Sequence, residues 1–174
     1  LKSPGGGDAV YLDRHRLNCG GANNVLKMFQ LERDRGSIRY KYICCTLLKN
    51  VCSLRQVSNG FTYDGDGDTV YLDRQYVNCG STGVLNEFKL VRNKGRDNWR
   101  YEYYCCDMSG SYQSRLSCYD YSTGFTYDGD GKNYYLDRQT VSCNDRYFMQ
   151  YFNLNRNSGR DNIRYTIKCC TIRT

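Results

Sequence analysis

The stretch "WRYEYYCC", residues 99–106, alternates without a break. In an extended chain Trp99, Tyr101, Tyr103 and Cys105 fall on one face, and Arg100, Glu102, Tyr104 and Cys106 on the other. Two near-copies keep the phase: "IRYKYICC" at 38–45 and "IRYTIKCC" at 163–170. Their inward residues are then Ile38, Tyr40, Tyr42 and Cys44, and Ile163, Tyr165, Ile167 and Cys169. Aromatic and β-branched residues at a two-residue period read as a half-buried strand, three times over.

Outward from these strands the repetition continues. Upstream lie "FQLER", "FKLVR" and "FNLNR", each a partner strand, followed by polar turns such as "NKGRDN". Before them come "VYLDRHRLNCG" (10–20), "VYLDRQYVNCG" (70–80) and "YYLDRQTVSCN" (134–144), strand-like segments with an Asp-Arg pair in the middle. Asp13, Asp73 and Asp137 are 60 and 64 residues apart, and Cys19, Cys79 and Cys143 keep that spacing. "GFTYDGDG" precedes the second and third copies, at 60–67 and 124–131, whereas the first has "SPGGGD" in that place. No long helical periodicity with caps is present.

One antiparallel unit of about four strands cannot bury its aromatic face alone, so three copies share a core. The expected fold is all-β, one disulfide-stapled domain over 1–174, with repeats at 8–52, 60–118 and 124–174. Copies of 60 to 64 residues suit a pseudo-threefold, β-prism-like arrangement of three sheets, with a β-trefoil as the alternative. Trp99 is expected in the central core beside Ile38 and Ile163. The pairs Asp13–Arg14, Asp73–Arg74 and Asp137–Arg138 read as repeated internal salt bridges or backbone clamps that fix register.

Eleven cysteines with no CxxC and a single histidine, His15, lack the usual zinc spacings and read as cystines of an extracellular protein. Neighbouring residues on a strand point to opposite faces, so the two members of each Cys-Cys pair need different partners. The inward members predict Cys19–Cys44, Cys79–Cys105 and Cys143–Cys169. The outward members reach the linker that follows, which predicts Cys45–Cys52 and Cys106–Cys118. Cys170 is then left unpaired or free for an intermolecular bond.

The stretch "CGSTGVLNEFKLVRNKGRDNWRYEYYCC" (79–106), with Cys118 beyond it, resembles the repeats of dermatopontins, tyrosine-rich proteins of the extracellular matrix. "YDGDGDTVYLDRQYVNC" upstream is similar to the segment before that family's first cysteine, and vitelline outer-layer β-prism repeats share part of the pattern. The resemblance implies matrix assembly, cell adhesion and, in some invertebrate members, carbohydrate binding. It implies no enzymatic residues.

The residues themselves point the same way. His15 stands where the other copies have Gln75 and Gln139, which reads as a surface substitution, and no nucleophile–base set can be built in three equivalent copies. No enzyme is expected. The turns "DGDGD" and "DGDGKN" place Asp64, Asp66, Asp68, Asp128 and Asp130 at alternate residues, a pattern calcium could use and Asp-Gly turn chemistry equally explains. No other cofactor is expected. A net charge of +7, most of it from arginine, suits an acidic polysaccharide or acidic protein surface. Nucleic acid is not expected outside the cell, and no run approaches the roughly 20 apolar residues of a membrane span.

The expected function is a non-catalytic, secreted structural or adhesive module that self-associates or joins other matrix proteins. A fibril built head-to-tail would follow if the strand missing from the first copy leaves an open edge and Cys170 supplies the covalent tie. A secreted lectin binding through loop residues is the alternative.

Overall fold

The computed structural model describes residues 3–4 and 6–173. The first copy holds β1 (Ser3–Pro4), β2 (Arg16–Asn18), β3 (Asn24–Asp34) and β4 (Ser37–Thr46). After the linker strand β5 (Cys52–Ser58), the second holds β6 (Thr62–Tyr63), β7 (Tyr76–Asn78), β8 (Gly83–Arg92) and β9 (Asn98–Met108). After the linker strand β10 (Leu116–Ser122), the third holds β11 (Thr126–Tyr127), β12 (Val141–Ser142), β13 (Phe148–Arg156) and β14 (Asn162–Ile172). The fold is all-β and disulfide-stapled. Among the described residues no helix is long and apolar enough to cross a membrane.

Each sheet is built on one long hairpin, β3–β4, β8–β9 or β13–β14, and borrows a short strand from the copy before it. β2 of the first copy pairs with β8, β7 of the second with β13, and β12 of the third returns to β3. The exchange is therefore circular. Each hairpin carries a bulge at the same place, at Lys27, Asn86 and Gln150. The bulged carbonyl accepts the N–H of the incoming cysteine: Cys143 to Lys27, Cys19 to Asn86 and Cys79 to Gln150. A bulge disrupts the ladder locally, and here the freed carbonyl ties one copy to the next.

The core centres on Phe29, Phe88 and Phe152, the first residues of "FQLER", "FKLVR" and "FNLNR". Their ring centroids are 5.1, 4.9 and 4.8 Å apart, one phenylalanine per copy in mutual contact. Tyr40, Tyr101 and Tyr165 set their rings edge-on against this triad, and burial raises all three phenol pKa values. Trp99, Ile38 and Ile163 are fully buried in the same cluster, as the alternation predicts.

Two strand expectations need correction. The first half of each LDR segment is a 3-10 turn (Ala9–Arg14, Thr69–Arg74, Asn133–Arg138), and only the residues after it form the short borrowed strand. Two turns of period three are too short to show against the apolar run in which they lie. Tyr42, in phase with buried Tyr103 and Ile167, is exposed.

Cys19–Cys44, Cys79–Cys105 and Cys143–Cys169 form as expected, each closing its own copy. The linker bonds run the other way. Cys52 is bonded to Cys106 and Cys118 to Cys170, so Cys45–Cys52 and Cys106–Cys118 do not exist and Cys170 is not free. The free cysteine is Cys45. The reason is strand pairing: β5 lies along β9 and β10 along β14, so each linker hydrogen-bonds to the copy that follows it. A fibril tied through Cys170 is thereby excluded.

Candidate binding clefts between the copies

The LDR turns shape the surface where two copies meet. Their Asp and Arg side chains form no ion pair with each other among the described residues. Instead each arginine lies over the tyrosine three residues earlier: Arg14 on Tyr11 at 4.7 Å, Arg74 on Tyr71 at 4.3 Å and Arg138 on Tyr135 at 4.5 Å. In a 3-10 turn residues i and i+3 eclipse, so the turn itself brings ring and guanidinium together. The aspartate contributes through its backbone. The Asp137 carbonyl accepts from the Gln30 amide and the Asp73 carbonyl from the Asn153 amide, each on the neighbouring copy's hairpin. Of the two expected roles, salt bridge and backbone clamp, the second is seen at Asp73 and Asp137 and the first at none of the three pairs.

The residue after each turn is a buried polar node. Gln75 donates to the Gly60 and Trp99 carbonyls and to the Thr62 hydroxyl, and accepts from Asn59 and from the Tyr101 N–H. Gln139 repeats the pattern with Gly124, Ile163 and Thr126, and accepts from Thr123. His15 holds this position in the first copy and is buried, not a surface substitution, with its ring edge-on to Tyr40 at 6.0 Å. Burial lowers its pKa below 6.5. The sequence signal available for these nodes was the alignment of Gln75 with Gln139. It marked the positions as equivalent without revealing that they are inside.

Between the first LDR turn and the second hairpin, and between the third LDR turn and the first hairpin, lies a cleft. The larger of the two, of about 650 Å³, is lined by Asp13, Arg14, Lys89, Arg92, Asn93, Lys94 and Arg96 among others. It presents five cations against one carboxylate. Arg92 is held in place from behind, by the buried Asp64 carboxylate at 3.2 Å and by the Arg96 carbonyl. Arg14, Lys94 and Arg96 are exposed at the rim. The equivalent cleft on the first copy's hairpin, of about 380 Å³, mixes Arg33 and Arg39 with Glu32, Asp34 and Asp137. At the third position Asp73 is half-buried, and burial raises its pKa against the opposing pull of Arg156, Arg74 and Arg160. A further hollow of about 430 Å³ is lined by Asn78, Asp120, Gln150, Tyr151 and Lys168. Tyr151 stacks with the exposed Tyr76 there, at 6.4 Å.

The DGDG turns are packed against the LDR turns. Gly65 and Gly129 have φ of 63° and 67°, and a side chain at either would enter the ring of Tyr71 or Tyr135. Glycine is required twice over, by backbone and by contact. Asp64 and Asp128 each turn a carboxylate oxygen onto the N–H two residues on, at 3.0 Å, and Asp68 caps Val70 at 2.9 Å. Asp66 and Asp130 are exposed. Among the described residues the acidic side chains do not come together in a group of three. No family model, curated protein or solved structure matches the chain.

Proposed function

We propose that this is a non-catalytic extracellular module that adheres to acidic polymers of a matrix. The observation that carries this is the cleft in which Arg14, Lys89, Arg92, Lys94 and Arg96 face one carboxylate, Asp13. Arginine forks match sulfate and carboxylate groups, and a guanidinium already fixed by Asp64 loses little freedom on binding. Five disulfides support residence outside the cell, where such polymers occur. The dermatopontin-like cysteine and aromatic spacing supports a matrix setting. Heparin is a suitable probe, with neutral dextran beside it. Binding to heparin alone, weakened by salt and by Lys94→Gln with Arg96→Gln, is expected. Binding unaffected by both substitutions would remove the cleft from the account.

A lectin is the second reading. The hollow beside Tyr151 supports it, since a half-buried aromatic ring next to Asn78, Asp120 and Lys168 is chemistry that holds a sugar ring. Neutral-glycan binding abolished by Tyr151→Ala would place that function first.

A further inference from the structure

The seam between the second and third copies repeats the backbone of the seam that holds the large basic cleft. β2 meets β8 with Arg16 opposite Lys89 and Leu17 opposite Phe88. β7 meets β13 with Tyr76 opposite Asn153 and Val77 opposite Phe152, the same register at equivalent positions. That register fixes where the LDR turn before the short strand lies against the neighbouring hairpin. Arg74 therefore stands to Arg156 and Arg160 as Arg14 stands to Arg92 and Arg96. Arg156 reaches the Arg160 carbonyl at 3.5 Å, as Arg92 reaches the Arg96 carbonyl. Half-buried Asp73 marks the point of convergence, since its carboxyl feels Arg156, Arg74 and Arg160 together.

The two hairpin tips are also built alike. The Arg96 N–H donates to the Asn93 carbonyl and the Arg160 N–H to the Asn157 carbonyl, each at 3.1 Å. Arg96 and Arg160 have φ of 59° and 60°, whereas Gly95 and Gly159 beside them stay out of the left-handed region. The backbone would favour the reverse order, because glycine takes a positive φ at no steric cost. An arginine in that conformation recurs at both tips, with its side chain exposed at the rim. The acids next to them are turned toward neutral donors. Asp97 accepts from the Asn93 amide at 2.7 Å and the Asn98 amide at 2.9 Å, and Asp161 from Asn157 at 2.7 Å and Asn162 at 3.0 Å. Among the described residues Arg14, Arg74, Arg96 and Arg160 form no ion pair.

The remaining seam differs in charge. The first hairpin carries Glu32 and Asp34 where the second has Val91 and Asn93 and the third Asn155 and Asn157. Its Arg39 is paired with Glu32, and its Arg33 lies on the Tyr134 ring at 4.2 Å.

We propose that Arg74, Arg156 and Arg160 form a second anion-binding site, so that the protein grips one acidic polysaccharide at two points. This rests on the reading of the first cleft as a polyanion site. Each site takes a sulfate or carboxylate group of the polymer on its arginine forks. Both lie at the same end of the molecule, where the LDR turns meet: the Thr69 N–H donates to the Gly131 carbonyl and the Asn133 N–H to the Gly7 carbonyl. The second site is the weaker. Asn153 and Ser158 stand where the first has Lys89 and Lys94, leaving three cations against five. On one polymer the second contact becomes intramolecular and adds avidity.

The test titrates the whole protein with a heparin tetrasaccharide at low salt, read by calorimetry. Two are expected to bind per protein, one more tightly than the other. Arg74→Gln with Arg160→Gln should remove the weaker site, spare the tighter one and weaken binding of long heparin ~10-fold or more. Lys94→Gln with Arg96→Gln should weaken the tighter site and spare the other. Ser158→Lys, which copies Lys94 into the second seam, should tighten the weaker site ~3-fold. One tetrasaccharide per protein, unaffected by Arg74→Gln with Arg160→Gln, would overturn the second site and leave the first cleft standing. No tetrasaccharide bound would overturn both. Three bound would overturn the two-point account, because the remaining seam would then bind as well.

Discussion

The first copy and the second are built from the same parts, yet their outer edges differ. In the second, β5 covers the outer edge of β9, Tyr103 is buried and Cys106 is bonded. In the first, no strand among the described residues lies along β4 beyond Ile38, Tyr42 is exposed and Cys45 is free. The interiors do not share the difference, since Phe29 and Phe88 pack alike around the common centre. The copies are therefore alike where their phenylalanines meet and differ along the outer edge of the hairpin.

The sharpest test of core equivalence is to cut each phenylalanine in turn. Phe29→Ala, Phe88→Ala and Phe152→Ala should each cost about 3 to 5 kcal/mol in denaturant titrations, because a filled aromatic site becomes a cavity. Costs equal within about 1 kcal/mol would support a shared centre. A markedly smaller cost for Phe29→Ala would show that the difference at the outer edge reaches the first copy's interior.

The disulfides separate the copies more directly. Replacing Cys118 and Cys170 together by serine should cost roughly 4 kcal/mol, since the bond closes a long loop. Cys45→Ser should change stability by about 0.5 kcal/mol or less, because no bond is lost. A large loss from Cys45→Ser would mean that its thiol already serves the fold.

The polar nodes come next in size. Gln75→Leu and Gln139→Leu should each cost roughly 2 to 3 kcal/mol by stranding buried carbonyls and N–H groups. His15 makes the first copy's node sensitive to pH. Its folded pKa is lowered, so the unfolded chain takes up the proton first as pH falls through about 6.5, the ordinary histidine value. Stability should be full above that value and decline below it, by no more than about 1.4 kcal/mol per pH unit. His15→Gln should flatten that decline, as read from urea midpoints between pH 7 and pH 5. An unchanged slope would assign the decline to other groups.

How much was legible in the sequence depended on the distance over which each feature is decided. The period-two alternation of "WRYEYYCC" is local, and with it came the strands, the burial of Trp99 and the three disulfides that close within a copy. The direction of the linker bonds was not local. Cys52 lies seven residues after Cys45 and far before Cys106, and nothing in that spacing says which copy the linker will join. Only hydrogen bonding of β5 to β9 decides it. The clefts share this origin, because Arg14 and Arg92 come from different copies and meet only where β2 crosses to β8.

The sequence by itself determined an all-β chain of three copies, since side-chain period and repeated spacing are properties of the chain read along its length. The tertiary structure alone decided that the copies exchange strands in a closed circle and that His15 lies inside. It also decided that the unpaired cysteine is Cys45 and not Cys170. Each of these depends on which backbone edge meets which, and an edge has no signature in sequence because every residue but proline offers the same N–H and C=O.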